Sequence, residues 1–551
     1  MSNPASARSL MKPSAVMAAG TVASRITGVF RDIAATAALG FFLVSDAFSL
    51  GNSLPTVIYI LVIGGALNAV FVPQLVRRMK EDADDGRAYA DRLITLVGSL
   101  LLVFSILAVL CAPLIVDLYT PDNYPANEYD LAVAFARLCL PQVLFYGIYT
   151  MLSQVLNARG RFGAPMFAPI ANNIVAIATF LLFIAVAGTS AASDGMLTTD
   201  QVLILGIGTT LGVIVQALIL IPVLVRSGYR WKPRFDWKGS GLGKTGSLAM
   251  WTIGLVFVNQ AAYIVITRLA AKANVDAAAA GVVAAGLTTY QKAHLVFMLP
   301  HSVITVSIVT AMLPALSRVA HDGNLRKVGN DVGSTMRLVA ALIVPIAAIL
   351  MCVGTGVAIL LFGYGAATPE QAGIMGAIVS IFMIGLLPFT LFYVMLRGYY
   401  ALEDTKTPFW ITVGFNVALL AIAVPLFNAS RAGGFQVGSL ALSYGIAYWI
   451  AFIVSWFILG RRLGGLDTKR TVVTLVKIIA AGLISLGVMF ATFAFVFERG
   501  TRIYERSKLG VLEEVVLISL IGLAVYLLCA WALRVHEVGQ AIALVRRKIR
   551  R

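Results

Sequence analysis

Charge is what this chain has least of. Only 13% of its 551 residues are Asp, Glu, Lys or Arg, where a soluble domain carries roughly 25%. Hydrophobic residues make up 59% and the mean hydropathy is +0.88, so lipid must serve as part of the solvent. Acidic residues are scarcer than basic ones, 26 against 43. The four cysteines (Cys111, Cys139, Cys352 and Cys529) fall in separate apolar runs with no metal-ligand spacing. They read as small core residues. No carboxylate pair, metal-binding cluster or Gly-rich phosphate loop followed by Lys-Ser/Thr is present, which argues against transport powered by a built-in ATPase. The formal charge of +17 could suggest nucleic acid. Its placement in short loops between apolar runs argues for no nucleic-acid partner.

What is abundant is long apolar runs, each near the roughly 20 residues that cross a bilayer. They lie near 14–40, 46–76, 93–118, 130–157, 165–189, 201–225, 246–271, 284–316, 336–363, 372–400, 408–428, 437–460, 472–497 and 511–533. The first run is long, charged and without a small-residue cleavage site, so it reads as a retained span rather than a signal peptide. Basic residues mark alternate loops: Arg77 and Arg78 after span 2, Arg159 and Arg161 after span 4, Arg230 and Lys232 after span 6, Arg326 and Lys327 after span 8, Lys406 after span 10, Arg461 and Arg462 after span 12, and Arg546, Arg547 and Lys548 in the tail. Positive residues stay in the cytoplasm. The expectation is an all-α polytopic membrane protein of about fourteen transmembrane helices with both termini cytoplasmic. One outward cluster breaks the pattern: Arg499, Arg502, Arg506 and Lys508, interleaved with Glu498, Glu505, Glu513 and Glu514.

The chain repeats itself. Ala158, Pro165 and Asn173 match Ala401, Pro408 and Asn416 at an offset of 243; Pro73 matches Pro314 at 241 and Pro55 matches Pro300 at 245. A repeat of six spans keeps its orientation, which predicts two parallel six-helix lobes with a site between them. The expected domains are an N-lobe over 1–240, a C-lobe over 241–463, two extra helices over 464–535 and a cytoplasmic tail over 536–551. In the tail, Val535, Val538, Ile542, Val545 and Ile549 recur at helical spacing among basic residues. That pattern predicts a helix lying on anionic membrane lipid.

Cations inside the apolar runs are the strongest pointer to function. Span 1 reads "SRITGVFRD". Arg25 lies roughly 16 Å into it, and Arg31 lies further out beside Asp32. An arginine at a helix centre costs about 2.5–3.5 kcal/mol on insertion scales, so two in one span need a reason. Arg25 and Asp32 share a face but stand roughly 10 Å apart along the axis, too far to pair. Arg25 therefore predicts a wet cavity. Arg31 has the alternative of a cross-helix partner such as Asp46 or a backbone carbonyl. Arg137, Arg268 and Lys292 add to a balance that is cationic overall, with His294 and His301 near Lys292. A cationic cavity suits an anionic substrate, and the planar guanidinium suits phosphate best.

These residues also carry a resemblance. "SRITGVFRD", "DAF…LP…GGALNAVFVPQL", "RLCLPQVLFYG…LNARGRFGAPMFAPIANN" and "LP…TAMLPALSR" resemble the MurJ (MviN) lipid II flippase family of the multidrug/oligosaccharidyl-lipid/polysaccharide exporter superfamily. The likeness runs through spans 1–12, and the span count extends it to the whole chain. It implies a multi-pass protein of the bacterial cytoplasmic membrane. Its partners would be lipid II and proteins of wall synthesis and division, and its task moving lipid II from the inner to the outer leaflet by alternating access. It implies no catalysis and no cofactor, and leaves open whether membrane potential or an ion drives transport. Arg25 and Arg31 match the family's span 1 arginines, Asp46 its span 2 aspartate, and Gly65 and Ala66 its span 2 Gly-Ala; Ser24, Gly28, Asp32 and Arg137 would support them. Spans 13 and 14 would form a groove for the lipid tail. The chain departs from the family at Tyr59 and Ile60, where many members carry arginines, at Gly64, where they carry Glu, and around Leu295, where no span 8 arginine is found. Arg268 and Lys292 could replace that charge, at least one facing the cavity opposite Arg25; the alternative is that both snorkel to the outer surface. Competing readings are a polysaccharide-lipid or multidrug exporter, a polyprenyl-phosphate enzyme, or a wall-synthesis scaffold.

Overall fold

The computed structural model describes residues 4–61, 78, 84, 86–192, 195–236, 246–497 and 503–540. Among them the chain is all-α, without a strand. Twelve helices are long and apolar enough to cross a membrane, from Arg87–Leu110 to Lys508–Ala532, and they coincide in order with expected spans 3–14. Helices Pro4–Leu39 and Leu43–Tyr59 occupy the places of spans 1 and 2. The all-α membrane architecture read from hydropathy is thus observed, with twelve of the expected spans found among the described residues.

Gly, Pro and capping residues punctuate these runs. Span 6 opens on a capping box between Thr198 and Gln201, and span 10 on one between Thr368 and Gln371. Span 4, Ala126–Ala158, breaks at Leu140 and Pro141 between its two helical pieces. In span 8, Pro300 removes a donor and the next turn, His301–Thr305, is π-helical. Its repeat counterpart Pro55 is likewise followed by a π turn at Ile60 and Leu61.

The chain forms two compact units, Met1–Arg268 and Leu269–Arg551. The seventh helix, Gly246–Ala280, runs across that boundary. In the first unit span 1 packs on 5, 5 on 6, 2 on 4, 3 on 4 and 4 on 6. In the second, 11 packs on 12, 8 on 10, 9 on 10 and 10 on 12. Adding six to the first set gives four of the second, so the sequence repeat is a repeat of packing. Spans 13 and 14 pack on each other and on span 9. Tyr526 of span 14 donates to the Ala341 carbonyl (2.9 Å), and Ser485 of span 13 donates to that of Gly522 (2.6 Å).

A strap follows the last span of each repeat and lies over the start of its third. In the first unit, buried Asp91 accepts from the Tyr229 hydroxyl (2.6 Å) and the Lys232 amide (3.2 Å), while Thr95 accepts from Trp231 and the Arg234 amide. In the second, the strap carbonyls of Gly465 and Leu466 press on Gly329 and Gly333, where a Cβ would stand 2.1 and 2.3 Å from those oxygens. Arg337, 3% exposed, binds Asp467 (3.1 Å), Thr471 (2.7 Å) and Glu537 (2.9 Å) beside it. Glu537 and the buried Val535 and Val538 thereby tie the start of the C-terminal tail to the protein; Ile542, Val545 and Ile549 lie outside the described residues.

The basic cluster before span 14 also gains an explanation. Lys508 donates to the carbonyls of Ile359 (2.8 Å) and Gly363 (2.7 Å) and lies over the Tyr364 ring, capping the end of span 9. Arg506 pairs with buried Glu514 at 2.7 Å. These two cations are fixed by local structure and do not report topology. Arg499 and Arg502 lie outside the described residues.

Candidate functional site

Span 1 packs on span 5 through a face of small and polar residues. A Cβ on Gly20 would stand 2.8 Å from the Met166 Cβ, and one on Gly28 would meet Asn173 at 3.7 Å. Asn173 is the hub of this contact. Its Nδ2 donates to the Ser24 carbonyl (3.1 Å) and the Thr27 hydroxyl (2.9 Å), and its Oδ1 accepts from Arg31 (3.3 Å). The other arm of Arg31 donates to Asp32 at 3.2 Å. Ser24, Thr27, Gly28 and Arg31 thus meet at one residue, Asn173, that the sequence marked only as part of the repeat.

The arrangement orients a guanidinium without consuming it. Arg31 has five N–H donors, and two are bonded among the described residues. Its side chain is 37% exposed, while Asp32 is buried. The partner is Asp32, the neighbour in sequence, where Asp46 was the cross-helix alternative. Arg25 lies on the exposed side of the same helix with Val22, Ile26 and Phe30, and makes no hydrogen bond or ion pair among the described residues. Counted from the helix end at Leu39, Arg31 is about 12 Å along the axis and Arg25 about 21 Å.

Near Arg31 the described side chains include a chain of neutral polar groups. Arg31 is within electrostatic reach of Tyr146, whose ring meets that of Tyr59 at 5.8 Å. The Tyr59 hydroxyl bonds Thr150 at 2.6 Å. Gln142 donates to Thr210 (3.0 Å) and Asn52 (3.4 Å). At Tyr59, where the resemblance led arginine to be expected, the side chain supplies a hydroxyl already engaged with its neighbour.

The remaining sequence candidates lie on spans 2, 4, 7 and 8. Asp46 is buried in the first turn of span 2. In the loop before span 4, burial first, then the charges of Asp46 and Glu128, hold the Tyr124 phenol well above its usual range. Arg137 is exposed in the last turn of the first helical piece of span 4. Arg268 pairs with Asp122 and donates to the Asp117 carbonyl (3.3 Å), so its charge is spent on the segment joining spans 3 and 4. Lys292 is half-buried in the second turn of span 8, in the second unit. Gly65 and Ala66 lie outside the described residues.

Duplicated helix packing, with a partly exposed guanidinium held among apolar helices, fits a polytopic membrane transporter. Residues 35–504, starting just after Asp32, match the family model described as Lipid II flippase MurJ, and the chain belongs to that family. It is 27% identical to the probable lipid II flippase MurJ of Rhizobium tropici, over 98% of this chain and 97% of that one. It is also 27% identical to that of Rhizobium meliloti strain 1021, over 80% and 79%. Its fold is similar to a solved lipid II flippase MurJ in an inward closed conformation, with TM-score 0.71, 21% identity, and 93% and 97% coverage. It is also similar to an inward-facing multidrug resistance MATE family transporter of the MOP superfamily, with TM-score 0.62, 14% identity, and 81% and 95% coverage.

Proposed function

We propose that this protein is a lipid II flippase, carrying the undecaprenyl-pyrophosphate-linked peptidoglycan precursor from the inner to the outer leaflet by alternating access. Within the family assignment, the observation that carries the reading is Arg31: a guanidinium aimed by Asp32 and Asn173, with donors left over for a phosphate. Arg25, deeper on the same helix, supplies a second cation. A pyrophosphate entering among these helices would offset the cost of holding them in the membrane. The protein works in the bacterial cytoplasmic membrane with both ends in the cytoplasm, beside the proteins of wall synthesis and division, and with no catalytic step or bound cofactor of its own. Arg25 lines the route that opens to one side at a time; Arg268 is engaged with Asp122 and the Asp117 carbonyl.

The test is replacement of the flippase in a bacterium depleted of its own. This chain should restore growth and the appearance of lipid II in the outer leaflet. Failure of a well-expressed, membrane-inserted chain to move lipid II, with movement of a different polyprenyl-linked saccharide, would favour the polysaccharide-lipid exporter reading.

A further inference from the structure

The strap of the first unit carries charge that its own surroundings do not use. Over 229–236 it reads "YRWKPRFD", with cations at 230, 232 and 234 between apolar residues. The amides of Lys232 and Arg234, two residues apart, both donate to span 3, to Asp91 at 3.2 Å and to Thr95 at 3.1 Å. Amides that point one way at every second residue belong to extended chain, so the side chains at 230, 232 and 234 share a face, about 7 Å apart. The intervening residues do the anchoring. Tyr229 is buried on Asp91 (2.6 Å), and the Trp231 indole N–H donates to Thr95 (3.3 Å) while its ring stays 47% exposed. Arg159, at the end of span 4, holds the root of the strap: it donates to the Ser227 carbonyl (3.2 Å) and lies over the Tyr229 ring at 5.3 Å.

Charge is sorted here. Among the described residues, Asp91 is taken up by the strap, Asp236 pairs with Arg92, and Asp84 accepts from the amides of Gly86 (3.1 Å) and Ala88 (2.8 Å). Arg230, Lys232 and Arg234 are exposed, and none makes a side-chain hydrogen bond or ion pair among the described residues. Arg87 and Arg226, at the adjoining helix ends, are exposed as well. The positive-inside rule asks for cations in such a loop but not for a fixed row of them. The matching strap of the second unit, Gly464 to Asp467, has neither a cation nor an aromatic ring.

Span 3 gives the level of the row in the membrane. Its apolar run begins at 93, between Asp91 and Thr95, so the strap crosses the border where hydrocarbon meets headgroups. An indole with one end bonded and its face open suits that border, and the anions found there are lipid phosphates. We infer that the strap is a binding site for acidic phospholipid headgroups, with phosphate on the row Arg230, Lys232 and Arg234 and the Trp231 ring against the glycerol region. The site is separate from the C-terminal tail and uses no part of span 1. Because the strap is bonded to span 3 through its backbone, a lipid held there fastens the start of span 3 and the end of span 6 to one leaflet.

The test uses the full chain in vesicles without lipid II, so its outcome is independent of the flippase reading. Trp231 is the reporter. The chain has 7 tryptophans, so its emission is taken as the difference between each protein and the same protein carrying W231F. Phosphatidylcholine vesicles receive a minor share of phospholipid brominated near the glycerol end of its chains, with either a phosphatidylglycerol or a phosphatidylcholine headgroup. Brominated phosphatidylglycerol should quench Trp231 at a several-fold lower share than brominated phosphatidylcholine, and the difference should shrink as salt rises. Arg230→Gln, Lys232→Gln and Arg234→Gln together leave every described bond between strap and span 3 in place. They should abolish the preference, and each alone should reduce it by about fivefold or less. Equal quenching by the two headgroups would overturn the proposal and leave an ordinary interfacial ring. Quenching by neither would also overturn it, placing the strap in water or under a protein partner, as would a preference that survives the triple replacement.

Discussion

The two halves of the repeat share their packing and differ in their charges. Both stack their third, fourth and sixth helices alike, both place a π turn after a matched proline, and both fold a strap over the third helix. Yet the first half binds Arg31 to Asp32 and Asn173, whereas the second encloses His294 and His301 in aromatic rings. Even the straps are fixed by different means: by buried Asp91 in one half, and by Arg337 with two glycines in the other. Shape complementarity between helices constrains apolar surface, so it survives duplication. Polar groups need only a satisfied partner, so each half could find its own.

The largest expected effect separates the halves by function. Arg31→Ala or Arg25→Ala should abolish complementation while leaving membrane level and folding largely intact. Lysine should rescue poorly, because it lacks the planar fork. Full growth on Arg25→Ala as the only flippase would remove the cation from the mechanism. Next comes the clasp of the second half. Arg337→Ala leaves Glu537 buried without its guanidinium and should cost about 3–5 kcal/mol, read as a lower midpoint in thermal unfolding in detergent. An unchanged midpoint would mean that the clasp does not hold the tail.

Smaller effects are expected where the straps meet the third helices. Gly333→Ala drives a Cβ against the Leu466 carbonyl and should cost about 1–3 kcal/mol. Asp91→Ala in the other half strands the Tyr229 hydroxyl and the Lys232 amide at a similar cost, about 1–3 kcal/mol. If one strap proved dispensable and the other not, the two would differ in role as well as in chemistry.

Helix count and duplication were legible because both rest on properties that act locally: apolar length, and the proline and asparagine positions that recur at 243. Partnerships were not. Asn173 meets Arg31 across 142 positions, Asp122 meets Arg268 across 146, and neither pairing leaves a periodic trace. Lys508 and Arg506 looked like a topological exception because the inside rule counts charges, while the structure ties both to nearby groups. Lys292 and Arg268 resembled each other in sequence as cations near outer helix ends; only structure shows the second engaged with an acidic loop.

The finest test of the comparison is Asn173 itself. Its match, Asn416, donates to the Thr412 carbonyl one turn back in its own helix (2.9 Å). Asn173 instead bridges two helices and holds Arg31. Asn173→Ala removes those bonds but leaves Ser24 its place in the helix and Thr27 its bond to the Ala23 carbonyl. The stability loss should therefore be modest, about 0.5–2 kcal/mol. Transport should fall further than stability does, because Arg31 keeps its charge and Asp32 but loses its aim. Asn173→Asp separates aim from charge. A carboxylate there can still accept from Arg31, yet it competes with an anionic substrate for the same donors, so transport should fall below that of Asn173→Ala. If Asn173→Asp moved lipid II as well as the wild type, Arg31 would not be the group that meets the phosphate.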